Sequence, residues 1–338
     1  MILHELSIGF KELFDIQYGT VKTWLLMTSV ELKVFNLTKE NVCAEVVAEK
    51  LELHKGNTEL FLNALCSLNL LTKKKNCYKN TDLSETFLTE DKETYLGDYL
   101  IMNDEWILQS KKQMKELLKN GPMVNQDSAD FSDNCFARHI KAMRNFSRSG
   151  PSQVVSDIIS HLPEFAKMRK MLDIGGAHGI DCIAVVLRNP ELRGVVFDKP
   201  PIIKTTREII SEYGLEGRID VMGGDYTLDP VGTDYDLVYA RATFNFIKNN
   251  LNPVFKKIYD SLNTGGIFIS LHDGLTDENT APPDMVISWL SSSLSTFDFS
   301  FPHDYIADAM LDTGFKNVHT KTIDFPFFGP MDLIIARK

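Results

Sequence analysis

At 338 residues the chain is longer than one typical hydrophobic core, so two domains are expected. Its 43% hydrophobic and 24% charged content is that of an ordinary soluble globular protein. The formal charge of −10 argues against a surface that tracks nucleic-acid phosphates and against affinity for anionic membranes. No apolar run approaches a membrane span, and Met1–Phe10 lacks the basic start of a secretory signal. The cysteines (Cys43, Cys66, Cys77, Cys135 and Cys182) are scattered, with no Cys-x-x-Cys pair and no histidine at ligand spacing. They read as reduced packing residues of a cytoplasmic protein, with no metal site.

Residues 16–36 place Val21, Trp24, Leu25, Thr28, Leu32 and Phe35 at helical spacing, which predicts a rather apolar amphipathic helix. A short helix from Glu40 to Leu51 follows, then a turn around His54–Asn57 and a third helix presenting Leu60, Phe61, Ala64, Leu65 and Leu68. From Leu71 to Lys79 the pattern alternates around a polar tip, as a β-hairpin does. Helix, turn, helix and hairpin make a winged helix. Such a domain binds DNA when its third helix is basic. This one carries only Lys55 at its start, and the wing cluster Lys73–Lys75 reads as a solvated turn. A structural domain over residues 1–100 is the expectation, not a ligand-sensing regulator. Residues 101–150 read as linker helices. One runs from Tyr95 to Leu118, with Leu100, Ile101, Trp106, Ile107, Met114 and Leu117 inward. Another lies around Cys135–Phe146. Gly150-Pro151 breaks the chain, and a second domain is expected over residues 151–338.

That domain begins with an apolar run ending in an acid and three glycines, Met171-Leu-Asp-Ile-Gly-Gly-Ala-His-Gly179. A buried parallel strand reads this way when its backbone must approach a ligand closely, and NAD, FAD and S-adenosylmethionine sites all use such turns. Ala177 suits the turn only if its φ is negative. Further strands are expected at Leu192–Asp198, Arg218–Asp225, Tyr235–Phe244 and Gly266–His272, with helices between them. A closing hairpin is expected from Asn317–Asp324 and Met331–Ala336. The alternation predicts an α/β fold, a doubly wound Rossmann-like parallel sheet behind the mainly helical winged domain. Asp173, Asp198 and Asp225 then end successive strands at one crevice. Asp198 suits ribose hydroxyls there, or alternatively the N-terminus of the following helix.

Leu172-Asp-Ile-Gly-Gly-Ala-His-Gly179, Phe197-Asp-Lys-Pro200 and Gly223-Gly-Asp-Tyr226 together resemble class I S-adenosylmethionine-dependent methyltransferases. More narrowly they are similar to the caffeate-type, acetylserotonin and bacterial polyketide O-methyltransferases. The likeness extends through Asn80-Thr-Asp-Leu-Ser84 and the helix at Met102-Asn103, and so over nearly the whole chain. It implies a homodimer, S-adenosylmethionine as cofactor and a small-molecule acceptor. It also implies that Asp173, Gly175, Gly176 and Gly179 flank the cofactor's methionine end, that Asp198 holds its ribose, and that Asp225 and Tyr226 face its adenine. Arg241 stands where the family usually has a lysine near the cofactor.

The family's catalytic histidine, in a His-Asp-Trp motif, is absent. The aligned run is Phe244-Asn-Phe-Ile247, with Asn245 in its place. An amide orients an acceptor but takes no proton. His272, aligned with an acid that steers the histidine, is the expected relocated base, the alternative being a hydrogen-bonded histidine with no chemistry. His178 reads as a positional residue of the turn and His303 as a cap for the helix from Asp304. Met102, Asn103, Trp106, Met143, Phe246 and Met285 are expected around an apolar acceptor. O-methylation of a small apolar hydroxylated compound is the leading reaction. The missing histidine keeps three others open: methylation of an already nucleophilic thiol, nitrogen or acidic phenol, and decarboxylation or hydroxylation by a relative that retains the cofactor.

Overall fold

The computed structural model describes residues 9–122, 133–326 and 329–338; residues 1–8 and the side chain of Cys135 lie outside the described residues. The chain divides into two compact units, Met1–Asp104 and Glu105–Lys338.

In the first unit, α1 (Lys11–Glu31) and α2 (Val34–Leu37) precede a two-residue strand, β1 (Val42–Cys43). Then come α3 (Ala44–Lys50), α4 (Lys55–Ser67), β2 (Leu71–Lys74), β3 (Cys77–Asn80) and α5 (Asp82–Phe87). The expected helix from Glu40 starts only at Ala44, because Val42 and Cys43 pair with Tyr78 and Cys77 and complete a small sheet of order β1-β3-β2. The hairpin turns through Lys75 and Asn76, both at positive φ (49° and 62°), the arrangement that matches strand twist in a tight hairpin. His54 Nδ1 accepts the Asn57 amide and caps α4, which is why that helix starts where it does. Val30, Phe35, Val47, Leu62, Leu65 and Tyr78 form the core of this unit. On α1, Trp24 and Val21 lie outside that core, 57% and 43% exposed.

Helix α6 (Gly97–Asn120) crosses the unit boundary. Trp106 and Ile107, expected inward, are about half exposed on it (52% and 50%), whereas Leu117 is buried. Then follow α7 (Asp133–Arg148) and α8 (Pro151–Ser160), the latter with proline in its first turn.

The second unit alternates β4 (Lys170–Ile174), α9 (Ile180–Arg188), β5 (Arg193–Asp198), α10 (Pro200–Glu212), β6 (Ile219–Gly223), β7 (Tyr235–Arg241), α11 (Leu251–Ser261) and β8 (Leu262–His272). Helices α12 (Pro283–Ser295) and α13 (Tyr305–Asp312) lead to the hairpin β9 (Asn317–Phe325) and β10 (Gly329–Arg337). The seven-stranded sheet runs β6-β5-β4-β7-β8-β10-β9. Strands β4 to β8 are parallel, and β10 is antiparallel to both its neighbours. Alternate side chains of each strand enter opposite layers. Met171, Leu237, Ile269 and Leu333 pack with α8, α9 and α10, while Leu172, Val238, Phe268 and Ile334 pack with α11 and α13. Strand order reverses between β4 and β7, so the crevice at their carboxyl ends is where a doubly wound sheet accepts a ligand.

Candidate active site

The first strand runs into the crevice through a turn with little tolerance for side chains. Gly175 has φ +69°, and a Cβ there would sit 2.4 Å from Thr243 Cγ2. At Gly176 it would sit 2.6 Å from the Asp173 carboxyl carbon. Gly179, at φ +73°, is the N-cap of α9. Ala177 departs from expectation: its φ is +44°, a region that costs a side-chain-bearing residue about 1–2 kcal/mol. Two bonds hold it there. Its N–H donates to Asp198 Oδ2 (2.8 Å), and its carbonyl accepts from Thr206 Oγ1 (2.5 Å).

Asp198 Oδ1 also accepts the Lys199 amide (2.7 Å), and burial raises its carboxyl above the usual range. Asp225, in contrast, is held below that range by the Thr227 hydroxyl and amide, which both donate to its Oδ1. The Tyr226 hydroxyl donates to Thr243 O (3.1 Å), fixing its ring edge-on to Phe244. Asp173 is sealed, and its Oδ2 is buried with no hydrogen-bond partner. Burial, reinforced by the neighbouring Asp181, pushes this carboxyl well above its ordinary range.

Arg241 does not lie open to a ligand. Its Nε donates to Asp181 Oδ2 (2.8 Å) and its Nη2 to Ser147 Oγ (2.9 Å), so it acts as a positioning residue. Asp181 also accepts Ser152 Oγ at 2.5 Å and Tyr239 Oη at 3.1 Å. His178 joins the same network: its Nδ1 accepts the Ile180 amide and its Nε2 meets Ser147 Oγ at 3.0 Å. Since Nδ1 is the acceptor, Nε2 carries the proton. Burial drives the His178 pKa down to about 4, so the ring is neutral at pH 7.

The relocated-base expectation for His272 meets a physical obstacle. The ring is fully buried; Nε2 accepts the amides of both Thr243 and Phe244 (3.0 Å each), and Nδ1 meets Ser270 Oγ at 2.7 Å. It stacks on Phe244 with ring centroids 5.1 Å apart, and burial lowers its pKa to about 3. No lone pair faces a ligand, so His272 fastens β8 to the chain leaving β7. Asn245 is equally constrained. Its Nδ2 donates to Asp273 Oδ1 and to Phe299 O, both at 2.7 Å. Two acceptors around one amide end fix its orientation, leaving Oδ1 as a buried acceptor with no partner. Asp273 Oδ2 accepts the Phe301 amide, and burial raises the Asp273 pKa to about 6.

The expected apolar lining is dispersed. Phe246 is 61% exposed and lies edge-on to Phe299. Trp289 and Phe297 flank the same Phe299 ring, giving an aromatic group beside Asn245. Met285 is instead part of the core layer and 1% exposed, and Met143 is half-buried on α7. Met102 and Asn103 are half-buried residues of the first unit, whereas Trp106 belongs to the second. His303 is not a cap; its Nδ1 pairs with the buried Asp332 carboxylate at 2.7 Å. Asp181, Ser147 and Thr243 carry much of the site's hydrogen bonding, and sequence reading missed them because their partners lie 29 to 94 residues away. Alternating strands with acids at their ends gave no signal for those pairings. A separate concavity of about 100 Å³, lined by Glu164, Lys167, Asp236 and Gly265 among others, lies at the amino ends of the strands, away from this crevice. Among the described residues there is no cluster suited to a metal ion and no helix long and apolar enough to cross a membrane.

Comparison with known proteins gives this arrangement a context. The family profile of an O-methyltransferase domain matches residues 132–288, and that of the O-methyltransferase dimerisation domain matches residues 14–90. The 3-hydroxy-5-methyl-1-naphthoate 3-O-methyltransferase of Streptomyces sahachiroi is 23% identical over 315 residues, 91% of this chain and 90% of that protein. The N,N-dimethyltransferase OxyT of Streptomyces rimosus is 26% identical over 309 residues, 88% of each chain. The crystal structure of human N-acetylserotonin methyltransferase in complex with S-adenosylmethionine superposes with a TM-score of 0.82 at 20% identity, covering 99% of both chains. That likeness bears on the fold alone.

The two buried histidines set a pH dependence. A histidine whose folded pKa is depressed binds its proton in the unfolded chain first, so its contribution to stability is present above about pH 6.5 and is lost as pH falls toward the folded value. Asp173 and Asp273, with raised folded values, contribute in the opposite direction over part of this range. The wild-type slope therefore mixes both, and a variant difference separates them. Gln at position 272 can still accept an amide bond but does not titrate. The stability cost of His272→Gln, measured by urea unfolding, should be about 2 kcal/mol smaller at pH 5 than at pH 7. An equal cost at both pH values would mean that His272 is not held neutral.

Proposed function

Because the chain belongs to the O-methyltransferase family, with that family's dimerisation domain ahead of its methyltransferase domain, we propose that it is a dimeric S-adenosylmethionine-dependent methyltransferase whose small-molecule acceptor is already nucleophilic. The crevice fits the cofactor. An unpartnered buried Asp173 oxygen beneath the glycine turn asks for a hydrogen-bond donor, and Asp198 offers a half-buried carboxylate for hydroxyls. In this reading Asp173 and the turn through Gly179 receive the methionine end, Asp198 holds the ribose, and Asp225 with Tyr226 borders the adenine. Arg241 supports them through Asp181 and Ser147 without touching the cofactor. When bound, S-adenosylmethionine supplies an electrophilic methyl group on a sulfonium.

The observation that carries the proposal is the locked Asn245 amide. At the position where the family has a general base, this chain has a side chain with no basic atom, and His272 below it is sealed. General-base assistance typically contributes 10²–10⁴ in rate, so an acceptor of ordinary hydroxyl acidity would react poorly here. An acidic phenol needs no such help, because it is ionised near neutral pH. The aromatic group of Phe246, Phe297, Phe299 and Trp289 beside Asn245 favours a flat apolar acceptor. What the protein then contributes is alignment of nucleophile and methyl group. A nitrogen acceptor is the second reading, and one atom favours it. The unpaired Asn245 Oδ1 asks for a hydrogen-bond donor, which an amine offers and a phenolate does not. The named activity of OxyT, N,N-dimethylation, is consistent with that chemistry. We place the protein in the cytosol, on its cysteine usage.

Dimerisation has its own support. Phe10, Phe14, Tyr18, Val21 and Trp24 recur at three- and four-residue intervals along α1 and its start, and all are exposed. An apolar stripe of this length on a free surface marks an interface, and the dimerisation-domain match covers it from residue 14. Light scattering should report a dimer at low micromolar concentration, and Trp24→Glu should shift it toward monomer. A wild-type monomer under those conditions would refute this assignment.

Calorimetric titration of S-adenosylmethionine tests the cofactor site. Micromolar affinity is expected, on the order of 8 kcal/mol, with at least a tenfold loss in Asp198→Ala. Transfer of labelled methyl to a panel of phenols, hydroxyls and amines tests the chemistry. Acidic phenols or amines should be methylated while simple alcohols are not, and His272→Gln should retain turnover within a few-fold. Loss of nearly all turnover in a folded His272→Gln protein would restore His272 as the base.

A further inference from the structure

The first unit holds a chemical feature with no part in methyl transfer. Cys43 and Cys77, far apart in sequence, are direct partners across the antiparallel pair β1–β3. Their Sγ atoms are 2.9 Å apart, inside the contact distance of two unbonded sulfurs and about 0.9 Å beyond the ~2.05 Å of a disulfide bond. Directly opposed residues of an antiparallel pair have Cα atoms roughly 4.5–5.5 Å apart, within the range that a disulfide spans. Both side chains are half-buried, so a small reagent can reach them. Of the other described cysteines, Cys66 is half-buried on α4 and Cys182 is fully buried, its sulfur packed under Gly194.

We propose that Cys43 and Cys77 are a redox site, a dithiol that exchanges with low-molecular-weight disulfides of the glutathione class and closes reversibly into an intramolecular disulfide. One cysteine thiolate attacks a sulfur of oxidised glutathione; the glutathione S–S bond breaks, one glutathione thiolate leaves, and a mixed disulfide forms. The second cysteine thiolate then attacks the protein-side sulfur of that mixed disulfide, forming the Cys43–Cys77 bond and expelling the second glutathione thiolate. The two protons lost by the cysteines go to the two departing thiolates. The protein dithiol is oxidised by two electrons, and glutathione disulfide is reduced to two glutathione molecules. The geometry favours the second step, because the strand register already holds the two sulfurs together. The Cys43 thiol is raised above its usual range, first by its hydrogen bond with Cys77 and then by burial, so exchange should quicken as pH rises above neutrality.

The cross-link would tie the strand entering α3 to the second strand of the wing, closing the chain between them into a loop. Closing a loop of this size removes freedom from the unfolded chain, so the oxidised form should melt several degrees higher. The test treats the full-length protein with oxidised glutathione under native conditions, blocks residual thiols and maps the peptides by mass spectrometry. The expected result is a Cys43–Cys77 cross-linked peptide, the loss of two titratable thiols, and full reversal by excess reduced glutathione. Cys43→Ser and Cys77→Ser, which alter one atom each, should lack the cross-link and instead retain one glutathionyl group on the remaining cysteine. Cys66→Ser should behave as wild type. Wild-type protein in which Cys43 and Cys77 both stay alkylatable, or in which each carries its own glutathionyl group without closure, would overturn the proposal.

Discussion

The buried ion pair between Arg241 and Asp181 ties four elements together beneath the crevice. Arg241 ends β7 and Asp181 opens α9; through Ser147 and Ser152 the pair also reaches α7 and α8. Taking both charges out of water costs several kcal/mol per ion, and only dense hydrogen bonding around them offsets that. Asp181 accepts from Ser152, Tyr239 and Arg241, which supplies it. Such a network adds little net stability over an apolar core, yet breaking it by removing one partner leaves a charge stranded. Its effect is positional: with α9 fixed against β7, the glycine turn between β4 and α9 has one place to go.

The local conformations around the crevice follow from that constraint. Ala177 occupies a left-handed backbone conformation because Asp198 and Thr206 grip its amide and carbonyl from either side. Thr243 packs against Gly175 and donates to Ile174 O, so the chain leaving β7 closes over the turn. His272 anchors that same chain by accepting its two amides. The burial that makes it a good fastener drives its pKa to about 3 and leaves the ring neutral at pH 7. Position and chemistry are in competition here, and position wins.

Much of this was legible in the sequence. Apolar runs ending in Asp173, Asp198 and Gly223-Gly-Asp225 indicated parallel strands and the edge where they converge, because a strand buried on both faces has few other ways to read. The hairpin at Lys75-Asn76 and the closing hairpin of β9 and β10 carried equally local signals. What escaped was set by distant partners. Strand β1 exists because Val42 and Cys43 find β3, although the local pattern is helical. Arg241 has the type and place of a ligand contact, yet Asp181, 60 residues away, neutralises it, and Ala177 departs from its expected φ because two tertiary bonds outweigh a local preference. His272 has the right residue type at the right strand end, and its three hydrogen-bond partners occupy both ring nitrogens. Trp106 and Ile107 followed the helical period yet emerged exposed, since periodicity marks a face without saying what covers it.

The central claim is that the protein aligns a nucleophile and leaves its ionisation to the acceptor's own acidity. The most direct measurement is the pH–rate profile of methyl transfer for a series of phenols that share one scaffold and differ in pKa. The expected result is a rising limb whose midpoint moves with each phenol's own ionisation, the same in wild type and in Asn245→Ala apart from weaker acceptor binding. A midpoint that stays fixed across the series would reveal a titrating protein base and contradict it.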